Sequence, residues 1–277
     1  MTEAAIRHRP GTPCWVSLMV HGLDTTQDFY GALFGWKFVP VPGPEPLSAY
    51  VRGVLDGQEV AGIGQLPPER RLPLAWTTYL ATDDADMTAE AIRCSGGTVG
   101  VGPLDTGVDG RVAIASDPAG AVFGIRQAKA RTGGGTGSAE VGAAAEVGVG
   151  AGSRAHGTPV WNELVTHDAA WVGTFYRSVF GYDLETTGRD DGADVLTLRL
   201  DGRPVATLHG VGEGLGRVRG SHWMTYFEVA DTDAAALRVV ELGGHVIDRP
   251  RETAAGRVAT VTDPGGAVFS VVRSAGR

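Results

Sequence analysis

The sequence predicts an α+β fold made of four strand–helix–strand–strand–strand modules, arranged as two tandem domains. Three observations predict this fold: the chain repeats itself at a spacing of 146 or 147 residues, a glycine-rich tract separates the two copies, and each copy shows the same element pattern twice. A length of 277 residues is about twice the usual domain size, which agrees with two domains.

The internal repeat is visible in four pairs of matching segments. The pairs keep their order and nearly their spacing, which indicates two homologous domains rather than chance similarity. They are TPCWVSLMVH at 12–21 with TPVWNELVTH at 158–167, FYGALFGW at 29–36 with FYRSVFGY at 175–182, WTTY at 76–79 with WMTY at 223–226, and DPAGAVF at 117–123 with DPGGAVF at 263–269.

The repeats and the tract between them set the expected domain boundaries. The tract at 128–157 is rich in glycine and alanine and has no Phe, Trp or Tyr, so we expect a flexible linker there. The two domains are then expected at 12–127 and 158–273, with short tails at 1–11 and 274–277.

The elements of the first module follow from apolar periodicity and turn residues. Trp15–Val20 is typical of a strand. Asp24 and Gln27 have the spacing of a helix N-terminal capping pair, and the helix that follows is predicted to stop at Gly35. The Asp-Gly pair at 56–57, between two apolar runs, predicts a hairpin.

The second module repeats this order. Trp76–Ala81 is typical of a strand, and the helix that follows is predicted to end at Cys94, before the Gly-Gly pair at 96–97. Val112–Ser116 and Val122–Arg126 are predicted strands joined by an Asp-Pro-x-Gly turn. The second domain carries the same signals, so the chain contains four such modules.

Composition and charge exclude several classes of function. The net charge of −8 argues against a nucleic-acid partner, since phosphate contacts need clustered Lys and Arg. There is no apolar stretch of membrane-spanning length and no signal-peptide pattern at the N-terminus. The two cysteines, Cys14 and Cys94, form no disulfide framework, so we expect buried free thiols and a cytoplasmic protein.

The combined motifs resemble the vicinal oxygen chelate superfamily, which includes glyoxalases, extradiol dioxygenases and bleomycin-resistance proteins. The motifs that carry the resemblance are the helix ending in Phe-Tyr-x-x-x-Phe-Gly, the Gly-Gly helix stop and the closing Asp-Pro-x-Gly hairpin. The tandem arrangement is most similar to actinobacterial proteins labelled hydroxylase or glyoxalase-like. The resemblance implies that paired modules form cup-shaped mixed sheets.

In the enzymes of this superfamily the cup holds a divalent metal through His, Gln and Glu, and this chain departs from that pattern. One ligand position of the superfamily lies on a strand where His209 is the only possible donor. The other positions include indole, methyl, hydrogen and thioether groups, which do not form a metal site. We therefore predict no metal and no cofactor. The resemblance places the ligand positions at Trp15, Thr77 and Gly124 in the first domain and at Trp161, Met224 and Ser270 in the second.

Strand alternation then assigns the side chains that face each cup, in the register that the resemblance implies. The second domain has two carboxylates where the first has none, and a carboxylate beside aromatic walls acts as an acid or base when desolvation raises its pKa. In the second domain the expected cup residues are Trp161, Glu163, Met224, Tyr226 and Glu228. Their equivalents in the first domain are Trp15, Ser17, Thr77, Tyr79 and Ala81.

The catalytic residues are therefore expected in the second domain, with Glu163 as the base and Tyr226 as a donor or orienter. Glu228 and His167 are further catalytic candidates, although Glu228 also fits a solvated strand end and His167, which recurs as His21, also fits a turn contact. Flat aromatic side chains in a cup suit stacking on an aromatic ligand. The expected substrate contacts are Trp15, Ser17, Tyr79, Trp161, Met224 and His209.

The leading hypothesis is a metal-independent protein that binds an apolar, aromatic or polyketide-like metabolite and works by acid–base catalysis in bacterial specialised metabolism. The alternative is a protein that sequesters an antibiotic, as bleomycin-resistance proteins do; the net charge of −8 is compatible with a cationic drug. The missing ligands disfavour a metal-dependent glyoxalase or dioxygenase. The sequence leaves open whether modules pair within one chain or between the chains of a homodimer.

Overall fold

The structure is a computed structural model that describes most of the two repeats. The predicted linker lies almost wholly outside the described residues, as do most of the N-terminal tail and the last two residues, so the predicted domain boundaries stay predictions. The described residues are 8–41, 49–67, 69–70, 73–107, 110–129, 155–190, 193–215 and 220–275.

Each half of the first repeat is one strand–helix–strand–strand–strand module. The first module contains β1 (Pro13–Val20), α1 (Leu23–Phe34), β2 (Lys37–Pro40), β3 (Tyr50–Leu55) and β4 (Gln58–Gln65). The second module contains β5 (Trp76–Ala81), α2 (Ala85–Cys94), β6 (Thr98–Asp105), β7 (Arg111–Ser116) and β8 (Val122–Gln127).

The second repeat follows the same order. The third module contains β9 (Pro159–Thr166), α3 (Ala169–Phe180), β10 (Asp183–Asp190), β11 (Ala193–Leu200) and β12 (Arg203–Gly210). The fourth module contains β13 (His222–Glu228), α4 (Thr232–Glu241), β14 (His245–Thr253), β15 (Gly256–Thr262) and β16 (Val268–Ser274). The four predicted modules are therefore confirmed.

The strands form two mixed sheets, one for each repeat. The strand order is β2-β3-β4-β1-β5-β8-β7-β6 in the first sheet and β10-β11-β12-β9-β13-β16-β15-β14 in the second. Parallel pairing joins β1 to β4, β5 to β8 and β13 to β16, and the hairpins of each module are antiparallel. This arrangement confirms the predicted α+β class.

The chain divides into two compact units whose boundaries fall inside β1, β5, β9 and β13. Unit I contains the second and third modules, and unit II contains the first and fourth modules. Each unit has its own apolar core, with Phe123 and Phe175 in unit I and Phe34 and Phe269 in unit II. Each core therefore combines one module from each repeat.

A buried Trp–Tyr–Asp arrangement lies in the core of each unit. In unit II the indole of Trp76 donates to the Tyr30 hydroxyl at 3.0 Å, and Tyr30 donates to Oδ2 of Asp263 at 3.1 Å. Burial raises the pKa of Asp263. The equivalent contacts in unit I join Trp223, Tyr176 and Asp117, at 2.9 and 3.3 Å.

The start of α1 differs from the prediction. Asp24 and Gln27 do not cap this helix, because it begins after Gly22, which has no side chain to accept a hydrogen bond. Asp24 lies in the first turn, where a negative charge is still favourable. In α3 the equivalent capping position is Asp168, whose carboxylate accepts from the backbone N–H of Trp171 at 2.9 Å.

Candidate functional site

The strands of the fourth module have one face packed on the core of unit II and an opposite face that points away from this core. In β13 Phe227 belongs to the core, so Tyr226 and Glu228 point to the opposite side. In β16 Phe269 belongs to the core, and Ser270 points to the opposite side. We call this side of the sheet, which points away from the core, the open face, although Met224, Glu228 and Ser270 on it are themselves buried.

Glu163 and Tyr226 meet on the open face of unit II. The Tyr226 hydroxyl donates to Oε2 of Glu163 at 2.5 Å, and both side chains are half-buried. Desolvation raises the pKa of Tyr226 well above its usual value, and the negative charge of Glu163 adds to the rise. Tyr226 therefore stays protonated at neutral pH and is a permanent donor that fixes the orientation of the carboxylate.

Ser270 extends this pair to a chain of three polar groups. It is buried, lies directly opposite Tyr226 in the pairing of β13 with β16, and forms a hydrogen bond that lowers the pKa of Tyr226. Such a bond favours the phenolate form of Tyr226. Sequence reasoning treated Ser270 only as an unfit metal position. The sequence did contain one indication of its role, because the equivalent residue in the first repeat is Gly124, which has no hydroxyl.

Two charged residues of β14 share the open face. Directly paired residues on neighbouring strands point to the same face. Arg251 is exposed, and its positive charge lowers the pKa of the Tyr226 phenol. Across β13, β16, β15 and β14, one row contains Tyr226, Ser270, Thr260 and Asp248, and the next contains Glu228, Val272, Val258 and Arg251.

The other two proposed catalytic residues make contacts of a different kind. Glu228 is buried, and its carboxylate accepts from the backbone N–H of Ser274 at 2.9 Å and from the Ser274 hydroxyl at 2.5 Å. His167 is exposed, and its Nδ1 donates to the carbonyl of Gly212 at 2.9 Å. Glu228 therefore stabilises the end of β16, and His167 stabilises the turn at Gly212. Neither residue has a part in the proposed chemistry.

The predicted substrate contacts of the second repeat fall in both units. Trp161 is half-buried on β9, two residues from Glu163 and on the same side of the strand. Met224 is buried on β13, two residues before Tyr226. His209 is half-buried on β12 in unit I, where it pairs with Val195 of β11.

In the first repeat, aromatic side chains of the chain itself fill the face around β1. Trp15 is buried, and its indole N–H donates to the Tyr50 hydroxyl at 3.2 Å. The Tyr50 hydroxyl lies only 1.7 Å from where a Cβ on Gly62 would be, so it occupies space that only glycine leaves. Ser17 is buried on β1, and Tyr79 is half-buried on β5 in unit I.

The residues at the superfamily's ligand positions do not fit a metal ion. Trp15 offers an indole bonded to Tyr50, and Ser270 offers a hydroxyl bonded to Tyr226. Within the described parts of the chain, no group of three or more His, Cys, Asp and Glu side chains is placed to hold a metal. Borderline and hard divalent ions need several such donors to converge.

The two cysteines differ in exposure. Cys14 is buried as predicted, and burial raises the pKa of its thiol to about 11, so it stays protonated. Cys94 is exposed, so the prediction of a buried thiol is wrong there: it lies at the end of α2, where the Glu90 carboxylate raises its pKa. Neither thiol has the lowered pKa of a nucleophile.

In the described residues, no helix combines the length and the apolar character that crossing a membrane requires.

Comparison with known proteins agrees with this fold. A family model described as the glyoxalase/bleomycin resistance protein/dioxygenase superfamily matches residues 14–125, and a glyoxalase-like domain model matches residues 161–272. The 2,3-dioxygenase LapB from Pseudomonas sp. KL28 has a similar fold, with a TM-score of 0.60 and 15% identity over 97% of this chain and 92% of that chain.

Two full-length relatives are similar in sequence. The anthracycline biosynthesis protein DauV of Streptomyces sp. strain C5 is 35% identical over 96% of this chain and 94% of that protein. CFP32 of Mycobacterium bovis, named as a candidate glyoxylase, is 33% identical over 97% of each chain. This chain is therefore a tandem two-domain member of the glyoxalase/bleomycin resistance protein/dioxygenase superfamily.

Proposed function

We propose that this protein is a metal-independent acid–base enzyme that removes a proton from a polycyclic aromatic metabolite on the open face of unit II. The observation that carries the proposal is the 2.5 Å hydrogen bond from Tyr226 to Oε2 of Glu163. Such a bond holds one carboxylate oxygen in place and sets the direction of the other, which is what a general base requires.

The chemistry assigned to the pair needs no oxidant or reductant. Oε1 of Glu163 takes a proton from a carbon that is next to a carbonyl or conjugated with one through an aromatic ring, and the C–H electron pair moves to the carbonyl oxygen to give an enolate or an aryl oxide. Return of the proton from Glu163 to the same or another carbon completes an exchange or a tautomerisation. Tyr226 and Ser270 are positioning residues in this scheme, because they act through the carboxylate.

The proposed substrate class rests on the surroundings of Glu163 and on the relatives. The half-buried indole of Trp161 shares the side of β9 from which Glu163 projects, and it suits stacking on a flat ring. The relatives DauV and DnrV are named as anthracycline biosynthesis proteins. We therefore extend the proposal to aromatic polyketide intermediates of specialised metabolism.

The absence of suitable donors at the superfamily's ligand positions supports the metal-independent part of the proposal. In the second repeat these positions hold an indole, a thioether and a hydroxyl. None of these groups is a strong ligand for Fe²⁺, Mn²⁺, Ni²⁺ or Zn²⁺ in proteins. Proton transfer through Glu163 is the chemistry that the remaining side chains support.

Deuterium exchange tests the proposal without knowledge of the natural reaction. Anthrone, a tricyclic ketone with an acidic methylene group, is incubated with the protein in D₂O, and deuterium uptake is followed by mass spectrometry. We expect the wild-type chain to accelerate uptake and Glu163→Gln to lower the catalysed rate by about 100-fold or more. Glu241→Gln makes the same chemical change on the exposed surface of α4 and should leave the rate unchanged.

Binding of anthrone, followed by quenching of tryptophan fluorescence, separates the enzyme from the sequestering alternative. A wild-type chain that binds anthrone but exchanges it at the rate of buffer contradicts the proposed enzyme and favours an antibiotic-binding protein. A catalysed rate that survives in Glu163→Gln removes Glu163 as the base.

A further inference from the structure

The edge strand β14 brings a positive charge onto the open face of unit II. Register places Arg251 opposite Val258, and Val258 opposite Val272, so all three side chains lie on the same side of the sheet. Ala259 and Val271, their neighbours in β15 and β16, belong to the core, which identifies that side as the open face. Arg251 therefore shares a face with Tyr226, three strands away.

The first repeat shows that the fold does not require an arginine here. The same steps along β8, β7 and β6 lead from Arg126 through Val112 to Leu104. Leu104 is 50% exposed, so neither packing nor strand pairing demands a charge at this position. The guanidinium of Arg251 is therefore a specific feature of the second repeat.

The charges around Arg251 are arranged unequally across the open face. Glu163 of β9 accepts a hydrogen bond from Tyr226 of the neighbouring strand β13, and Asp248 of β14 lies in the same row as Tyr226. Both carboxylates repel an anionic group from that row, whereas Arg251 lies in the next row and attracts one. The positive charge of Arg251 also lowers the pKa of Tyr226, although desolvation and Glu163 act more strongly in the opposite direction.

We propose that Arg251 binds an anionic group of the aromatic ligand, a carboxylate or an ionised phenol, while the reacting carbon lies at Glu163. The planar guanidinium suits such oxygens because it donates two parallel hydrogen bonds. Three strand spacings, about 14 Å, separate the backbones of β13 and β14, and the long Arg251 side chain shortens the gap that the ligand spans. This inference rests on the proposed function and names the substrate class of the same site.

A matched pair of probes tests the inference. Anthraquinone-2-carboxylate and the neutral anthraquinone-2-carboxamide have nearly the same shape, and their affinities are compared by isothermal titration calorimetry. We expect the wild-type chain to prefer the carboxylate by about tenfold, and Arg251→Leu, which introduces the residue of the first repeat, to abolish that preference. The affinity for the carboxamide should stay within about twofold of wild type, since it makes no charged contact.

Two further variants control for net charge and for geometry. Arg238→Leu removes the same charge from α4, which packs on the other side of the sheet, and should keep the carboxylate preference. Arg251→Lys keeps the charge without the planar fork and should keep part of the preference.

The outcomes separate this inference from the proposed function. Equal binding of both probes by the wild-type chain, or an unchanged preference in Arg251→Leu, overturns the role of Arg251, and exchange dependent on Glu163 still stands. Failure of the wild-type chain to bind either probe contradicts the proposed aromatic site, and this inference with it.

Discussion

The second and fourth modules are equivalent parts of the two repeats, but their open faces differ at one decisive position. In the second module a Cβ added to Gly124 would lie 2.2 Å from the ring of Tyr79, so the ring covers space that only glycine leaves. In the fourth module Ser270 occupies this position, and Tyr226 is bonded to Ser270 and Glu163. A serine there excludes the ring position of Tyr79 and supplies a hydroxyl that holds the phenol.

The same contrast continues across the neighbouring strands, while the cores stay alike. The first repeat has Ile114, Val101 and Leu104 where the second has Thr260, Asp248 and Arg251. Both units nevertheless keep the same buried Trp–Tyr–Asp contacts. The repeats therefore share a framework on the helix side, and the differences relevant to chemistry lie on the open face.

Because the buried Trp–Tyr–Asp contacts are the same in both units, removing the tyrosine hydroxyl should cost each unit the same stability. Tyr30→Phe and Tyr176→Phe each remove the partner of a buried indole and a buried carboxylate, so each should lower the free energy of unfolding by about 4 kcal/mol, roughly 1–3 kcal/mol for each unsatisfied group. Urea denaturation followed by circular dichroism measures both. A large loss in one variant and none in the other would show that the two cores are not equivalent.

The buried aspartates predict an unusual pH dependence. Burial raises the pKa of Asp117 to about 6, above its unfolded value of about 4, so the folded state binds this proton more tightly. The stabilising contribution is complete below pH 4 and is lost as the pH rises through 6, by at most about 3 kcal/mol. Asp117→Asn should remove this part of the pH dependence when stability is measured between pH 4 and 7. Parallel curves for the variant and the wild type would contradict the shift.

The serine–glycine difference predicts a smaller effect on catalysis. Ser270→Gly gives β16 the residue of the first repeat and should lower the anthrone exchange rate by about tenfold, the effect of losing one hydrogen bond to a positioned group. Ser270→Thr keeps the hydroxyl and should restore most of the rate. An unchanged rate in Ser270→Gly would mean that Tyr226 holds Glu163 without help from the serine.

Central elements of the fold were predictable because their residues form short apolar runs or carry turn signals. Trp15–Val20 and the Asp-Gly pair at 56–57 are such cases, and β1 and the β3–β4 hairpin are found there. The edge strand β6 was not located, because Gly102 and Pro103 interrupt it and its exposed side chains show no alternation. The start of α1 was misplaced because Gly22 leaves no side-chain signal at the cap.

The candidate site was predictable only in part. Glu163 and Tyr226 were placed on one face from alternation and the superfamily's register, and the structure brings them into contact. The role of Ser270 depends on its pairing with Tyr226 across two strands, which a linear pattern does not contain. Arg251 was missed because two register shifts in β14 precede it, and such shifts change which residues face the sheet's open side.

The exchange rate of Glu163→Ser is the most direct test of the claim that the second repeat carries the base. This variant gives β9 the residue that β1 has at the equivalent position, Ser17. We predict that it binds anthrone with an affinity within about threefold of wild type while its exchange rate falls by at least about 100-fold, to the rate of buffer. Exchange that stays within about threefold of the wild-type rate, at unchanged affinity, would contradict the claim.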